Sequence, residues 1–176
     1  IFTILSSCAS RQLEEATFRR VVIPVQELLD TAGKYFRKSM KNRTERIELE
    51  IGTVDAKVIG DLNQLRFLLE NLIDEALAVH EDGLLRLQAR QDDEYIRFLF
   101  TDTRREKSLE ELNLLFYPNL ARMTSGEKGE LRGTEYLVCK QIIRDHDEFA
   151  GRRGCRINAE PAADGGFTVY FTVPRR

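Results

Sequence analysis

The chain has 176 residues, with 27 basic and 29 acidic side chains and a formal net charge of -2, a balance that argues against a nucleic-acid binder, which needs a basic excess or stripe. Hydrophobic residues at 42% and charged residues at 32% suit a globular protein of one domain with a short extra element and enough apolar material for a core. Cys8, Cys139 and Cys155 are odd in number and far apart, and His80 and His146 have no cysteine cluster beside them, so neither a disulfide framework nor a zinc site is indicated.

No apolar run has the length of a bilayer span. The opening Ile1-Phe-Thr-Ile-Leu-Ser-Ser-Cys8 is too short for a lipoprotein signal and has no basic segment before it. With no initiator Met, the chain reads as a fragment of a longer protein.

From about Arg11 to Lys41 the spacing predicts a helix, with Ala16, Val21, Val25, Leu28, Leu29, Ala32 and Phe36 along one stripe. Pro24 removes a backbone donor, so a kink or break is expected there. The basic, polar stretch Ser39 to Arg46 reads as a loop. Arg46-Ile-Glu-Leu-Glu-Ile-Gly52 alternates as a half-buried strand does, and Ala56-Lys-Val-Ile-Gly60 reads as a second. Asp61 can cap a helix whose apolar face, Leu62, Leu65, Leu68, Leu69, Leu72, Ile73, Ala76 and Leu77, is the clearest in the sequence. It ends at Glu81-Asp-Gly83.

Leu85-Arg-Leu-Gln-Ala89 and Tyr95-Ile-Arg-Phe-Leu-Phe100 read as strands of a hairpin turning across Gln91 to Glu94. The charged stretch Asp102 to Glu111 leads to a short helix over Leu112 to Phe116. Tyr117 to Gly133, with three glycines, is a long loop of the kind that carries function. Glu135 to His146 predicts a helix with Tyr136, Leu137, Cys139 and Ile142 or Ile143 inward. Cys155 to Ala159 and Phe167 to Val173 close the chain as strands joined across Asp164-Gly-Gly166. An α+β two-layer sandwich, a mixed β-sheet with helices on one face, accommodates this order best.

The order and several local stretches resemble the ATP-binding domain shared by histidine kinases, type II topoisomerases, the ninety-kilodalton heat-shock chaperone and mismatch-repair ATPases. The sensor histidine kinase branch is most similar, over residues 24–176. The stretches are Val58-Ile-Gly-Asp-Leu-Asn-Gln-Leu-Arg-Phe-Leu-Leu-Glu-Asn-Leu-Ile-Asp-Glu-Ala76, Tyr95 to Asp102, Leu115-Phe-Tyr-Pro118, Gly133 to His146 and Gly166-Phe-Thr-Val-Tyr-Phe-Thr-Val-Pro174. The resemblance implies that residues 1–23 are an N-terminal helical extension, the end of a dimerisation helix.

What the resemblance implies for chemistry is ATP with Mg²⁺. Asp102 would accept from the adenine amino group, and Thr168 matches a position that supports the same pocket. A second reading of Asp102 stands beside it, that it ends a strand and caps the next turn. Asn71 belongs to the motif on the central helix, and Glu75 stands where the family has the Asn that ligates Mg²⁺. Gly133 is what remains of the glycine box that opens the last helix toward the phosphates. Two further glycine positions, whose lack of Cβ leaves room near the nucleotide, are occupied by Arg104 and Glu106. Bulky side chains there are expected to fill space beside the base and weaken ATP binding. No catalytic residue is assigned. His80, despite the His80-Glu81 pair, falls at the end of the central helix and not on a phosphoacceptor segment, and His146 reads as structural.

The implied function is the C-terminal catalytic-type domain of a two-component sensor kinase with eroded nucleotide motifs, a histidine protein kinase if active. The alternative is a pseudokinase interaction module that relays signal through domain contacts or dimerisation. An ATPase of the topoisomerase or mismatch-repair branch fits less well, because its general-base Glu precedes the Asn, whereas here Asn71 precedes Glu75. The implied partners are an upstream dimerisation and phosphoacceptor segment of the same protein, which makes the parent a homodimer, and a response regulator. The implied place is a cytoplasmic domain of a parent that can be membrane-anchored.

Overall fold

The computed structural model describes residues 17–117, 124–125, 131–132 and 135–176. Among the described residues, nine strands and four helices follow in the order β1 (Val21–Pro24), α1 (Val25–Met40), β2 (Ile47–Ile51), β3 (Lys57–Gly60), α2 (Leu62–Leu77), β4 (Gly83–Asp92), β5 (Tyr95–Asp102), α3 (Leu109–Asn113), β6 (Thr124–Ser125), β7 (Leu131–Arg132), α4 (Glu135–Phe149), β8 (Ile157–Pro161) and β9 (Phe167–Pro174). The main sheet has five strands in the order β2-β4-β5-β9-β8. The β2–β4 pair is parallel and the others are antiparallel, so the sheet is mixed, as expected.

Alternation along the strands turns one row of side chains toward the helices. Leu85, Leu87, Ile96, Phe98, Phe100, Val169, Phe171 and Val173 are buried. Phe98 and Phe171 face each other in register and stack with centroids 4.7 Å apart. The central helix α2 lies between α1 and α4 and touches both. Its stripe of Leu65, Leu68, Leu69, Leu72, Ile73, Ala76 and Leu77 is buried, which meets the expectation for this helix. Asp61 caps it, Oδ1 accepting from the Gln64 N–H at 3.1 Å. The turn between β4 and β5 is the two-residue Asp93-Glu94, tighter than expected, with Asp93 at φ 58°, a conformation Asp tolerates.

The N-terminal helix and the short helix differ from the sequence reading. Over the residues described, the expected N-terminal helix is not helical before Val25. Val21–Pro24 is a strand antiparallel to β3, with Ile23 buried while Val21 and Val22 remain exposed. The reason is Pro24. A residue before proline is driven to extended backbone, so the chain enters the proline as a strand and leaves it as a helix, Pro24 itself being the N-cap at φ −62°. Residues 1–16 of the expected extension lie outside the described residues. The short helix begins at Leu109, earlier than expected, because Ser108 and Glu111 form a reciprocal capping box. Of the long loop over 117–133, the description covers Tyr117 and the backbone of the paired strands β6 and β7. No helix among the described residues is long and apolar enough to cross a membrane.

Candidate functional site around Asp102

Asp102 is the last residue of β5, paired with Leu85 of β4 and Phe167 of β9, and only 4% of it is exposed. A carboxylate so placed needs donors, because an unpaired buried charge is expensive. The donors come from two residues further on. Arg104 gives its backbone N–H to Asp102 Oδ1 at 3.0 Å. Its side chain then returns to make a bidentate pair, Nε to Oδ1 and Nη2 to Oδ2, both at 2.9 Å.

The same guanidinium closes the C-terminal end of α2. Nη2 donates to the Ala76 carbonyl at 2.6 Å, and Nη1 to the carbonyls of Val79 at 3.1 Å and Glu81 at 2.9 Å. All five N–H donors of a guanidinium are thereby used, and the side chain is 1% exposed. A cation at a helix C-terminus is also favoured by the helix dipole. Room for the arginine stem comes from Gly83, at φ +146°, where a Cβ would stand 2.5 Å from Arg104 Cγ.

The remaining residues of this charged stretch face outward or along the rim. Arg105 pairs with Glu81, Nη2 to Oε1 at 2.8 Å, and this hydrogen bond holds the Glu81 carboxyl below its ordinary range. Lys107 lies over the Phe167 ring, 5.4 Å from its centroid. Glu106 is exposed, so of the two glycine replacements it is Arg104 that fills the interior, and the expectation for Glu106 is corrected.

Beside Asp102 lies a cavity of 50 Å³, lined among others by Leu72, Glu75, Tyr136, Phe167 and Val169. Glu75, half-buried, is thus on the same wall as Asp102. Asn71 is not on it. Its Nδ2 donates to the Phe67 carbonyl of its own helix at 2.7 Å. Thr168 is not on it either. It is the register partner of Thr101 and bonds to it, Oγ1 to Oγ1 at 2.7 Å, on the side of the sheet opposite Asp102. The alternation of a strand puts Phe167 and Val169 toward the cavity instead. Gly133 lies outside the described residues.

The region omitted from sequence reasoning is the Arg104 contact. The signal in the sequence is an acid and an arginine two residues apart beyond a strand, with a glycine at position 83, and nothing in it marks the arginine as the residue that turns inward. As the side chains stand, both Asp102 oxygens accept from Arg104, and the space beside them is small. An apolar cavity that accepts benzene is about 150 Å³, larger than the space here.

The other reactive groups are structural. His146 is wholly buried, with Nε2 accepting from the Asp61 N–H at 3.1 Å and Nδ1 bonded to the Ile142 carbonyl at 2.8 Å. His80 is exposed and pairs with Glu45. Burial pushes the thiols of Cys139 and Cys155 up, away from the thiolate form. Among the described residues no group of three or more His, Cys, Asp or Glu side chains is arranged to hold a metal ion.

A mixed sheet with its helices on one face, a capped central helix after β3 and a buried Asp at the end of β5 define a nucleotide-binding class of fold. The family of histidine kinase-, DNA gyrase B- and HSP90-like ATPases matches residues 60–176, and the chain belongs to it. The signal transduction histidine-protein kinase BaeS of Escherichia coli (strain K12) is 25% identical over 161 residues, 89% of this chain and 32% of BaeS. The chain therefore spans about a third of the length of that curated relative. Among solved structures, the catalytic domain of histidine kinase ThkA superposes with a TM-score of 0.68 at 19% identity, covering 89% of this chain and 96% of that one. ThkA in complex with the response regulator protein TrrA gives 0.67 at 18%, covering 99% and 48%. Full-length ShkA in complex with AMPPNP gives 0.69 at 16%, covering 97% and 36%. At these identities the structural likeness establishes the fold.

Proposed function

We propose that this chain is the C-terminal ATP-binding, catalytic-type domain of a two-component sensor histidine kinase, in a form that binds ATP weakly or not at all. The family and the likeness to histidine kinase structures support the first part. The second rests on one observation, the size and lining of the space beside Asp102. At 50 Å³, walled by Phe167, Val169, Leu72 and Tyr136 with Glu75, Arg105 and Lys107 beside them, it admits a base only if side chains move. Each such displacement costs about 1–3 kcal/mol, and two weaken binding by roughly a hundredfold or more.

In this reading Asp102 marks the base end of the site and Glu75 the acid that would take Mg²⁺, with Gly133 toward the phosphates. Thr168 and Asn71 support the surrounding fold. The residues before β1 continue into a dimerisation and phosphoacceptor segment, the parent is a homodimer with this domain on the cytoplasmic side, and a response regulator is the downstream partner, as TrrA is for ThkA in the solved complex. A calorimetric titration with a non-hydrolysable ATP analogue and Mg²⁺ tests it. No saturable heat up to millimolar ligand is expected. Micromolar binding that disappears in Asp102→Asn contradicts it.

The engagement of Asp102 by Arg104 favours a second reading of the same domain, as an interaction module that relays signal through domain contacts. A site whose acid is already satisfied has no need of nucleotide to be folded.

A further inference from the structure

We propose that Arg104 is a built-in ligand, the self-supplied occupant of a pocket made only of hydrogen-bond acceptors. The inference deepens the proposed function and rests on it for the identity of the displaced ligand. The pocket wall consists of the Asp102 carboxylate and the backbone carbonyls of Ala76, Val79 and Glu81. None of these groups can satisfy another, since every one accepts and none donates. Without an occupant, a carboxylate and three carbonyls at and just beyond the end of α2, of which Ala76 also accepts from the Val79 N–H, would converge on one small volume at the negative end of the helix dipole.

Only a planar group with several N–H donors at its edge satisfies all of them at once. A guanidinium does so, and so in part does an amino-substituted heterocycle such as adenine. A lysine ammonium does not, because it is a single point with three donors and cannot fork across a carboxylate. The arrangement is fixed from both sides. Gly83 leaves the space for the arginine stem, and the Arg104 backbone N–H is itself held by Asp102. The arginine therefore ties the end of β5 to the end of α2. Asp102 is thereby engaged by the chain itself. Deleting the side chain reopens a pocket whose chemistry selects planar, multi-donor ligands.

The test uses the whole chain, its Arg104→Ala variant, and the double variant Arg104→Ala/Asp102→Asn, in which the pair of opposite charges is removed together. Thermal melting is followed with added methylguanidinium and, separately, with Mg²⁺-ATP. The wild-type melting temperature should not respond to either. Arg104→Ala should melt roughly 10 °C lower, and millimolar methylguanidinium should raise it in a saturable way, whereas the same concentration of tetramethylammonium should not. The double variant should show no such rescue. If Arg104→Ala is unfolded alone, its folding on addition of methylguanidinium supports the proposal and its failure to fold overturns it. Melting at the wild-type temperature, or no response to methylguanidinium, also overturns it.

The ATP arm separates the two readings. ATP binding gained in Arg104→Ala and lost in the double variant supports both. Methylguanidinium rescue with no gain of ATP binding keeps Arg104 as an internal ligand and removes the purine from the site. Tight ATP binding by the wild type, with Asp102 required, overturns the built-in ligand.

Discussion

Asp102 and Arg104 are both buried and both charged, and the balance between them sets what the site can do. Taking two ions from water is costly, and their attraction offsets this only where the geometry is good and the remaining donors are met. Here they are met, since the guanidinium donates to the carboxylate and to three carbonyls. The dependence extends to two glycines. A Cβ at Gly83 would stand 2.5 Å from Arg104 Cγ, and one at Gly166 would stand 2.0 Å from the Asp102 carbonyl oxygen. Both residues are also at positive φ, which side chains disfavour. Gly83→Ala should therefore lose about 1–3 kcal/mol, read as a shift of the urea midpoint with unchanged slope. A neutral effect would show that the arginine stem relocates freely. Sequence reading found Asp102 but not its partner. An arginine in a run of four charged residues carries no mark of which one turns inward; the pairing depends on carbonyls at and just beyond the end of α2, which are brought near only by the fold.

At the scale of elements, local chemistry sets boundaries that hydrophobic spacing leaves open. Pro24 separates β1 from α1, and the Ser108–Glu111 capping box starts α3 ahead of its apolar residues. Ser108→Ala should cost about 1 kcal/mol, and hydrogen exchange should show the gain in opening concentrated in α3. Spread evenly over the sheet, it would deny the cap its local role. The turn from α4 to β8 is organised by Asp147, whose Oδ1 accepts from the N–H groups of Gly154 at 2.6 Å and Cys155 at 3.0 Å, while Arg153 pairs with Oδ2 at 2.9 Å. Burial alone would raise this carboxyl, but those hydrogen bonds hold it below its ordinary range. A depressed folded value means that the stabilisation is present above the unfolded pKa, about 4, and is lost as pH falls through the folded one. Asp147→Asn should be less stable than wild type at neutral pH, and the gap should close below about pH 4. A gap that does not change with pH would mean that the carboxylate charge contributes nothing there. The long helix α2 and the β4–β5 hairpin were legible because their periods are uninterrupted. The phase of β9 was less so. Its residues are buried on both faces, Phe167 through Val169 alike, so burial pattern does not tell Thr168 from Phe167, and only the register with β5 does.

At the scale of the molecule, the described part of the family fold holds a buried acid that the chain itself engages through Arg104. The sheet, the capped central helix and the stacked Phe98–Phe171 pair build the core that carries Asp102, and that acid is already engaged. That combination explains why the fold was readable from the order of elements while the state of its site was not. Order follows from periodicity, but occupancy depends on where one flexible side chain goes. The most direct test is the side-chain Nε–H resonance of Arg104, observed by NMR in the ¹⁵N-labelled chain and assigned by its absence from Arg104→Ala. The account predicts a slowly exchanging signal, shifted from the position of solvent-exposed arginines, that does not change on addition of millimolar Mg²⁺-ATP. A rapidly exchanging signal at the free-arginine position, or one that moves there as ATP is added while the amides at the ends of β5 and α2 shift with it, would contradict the account.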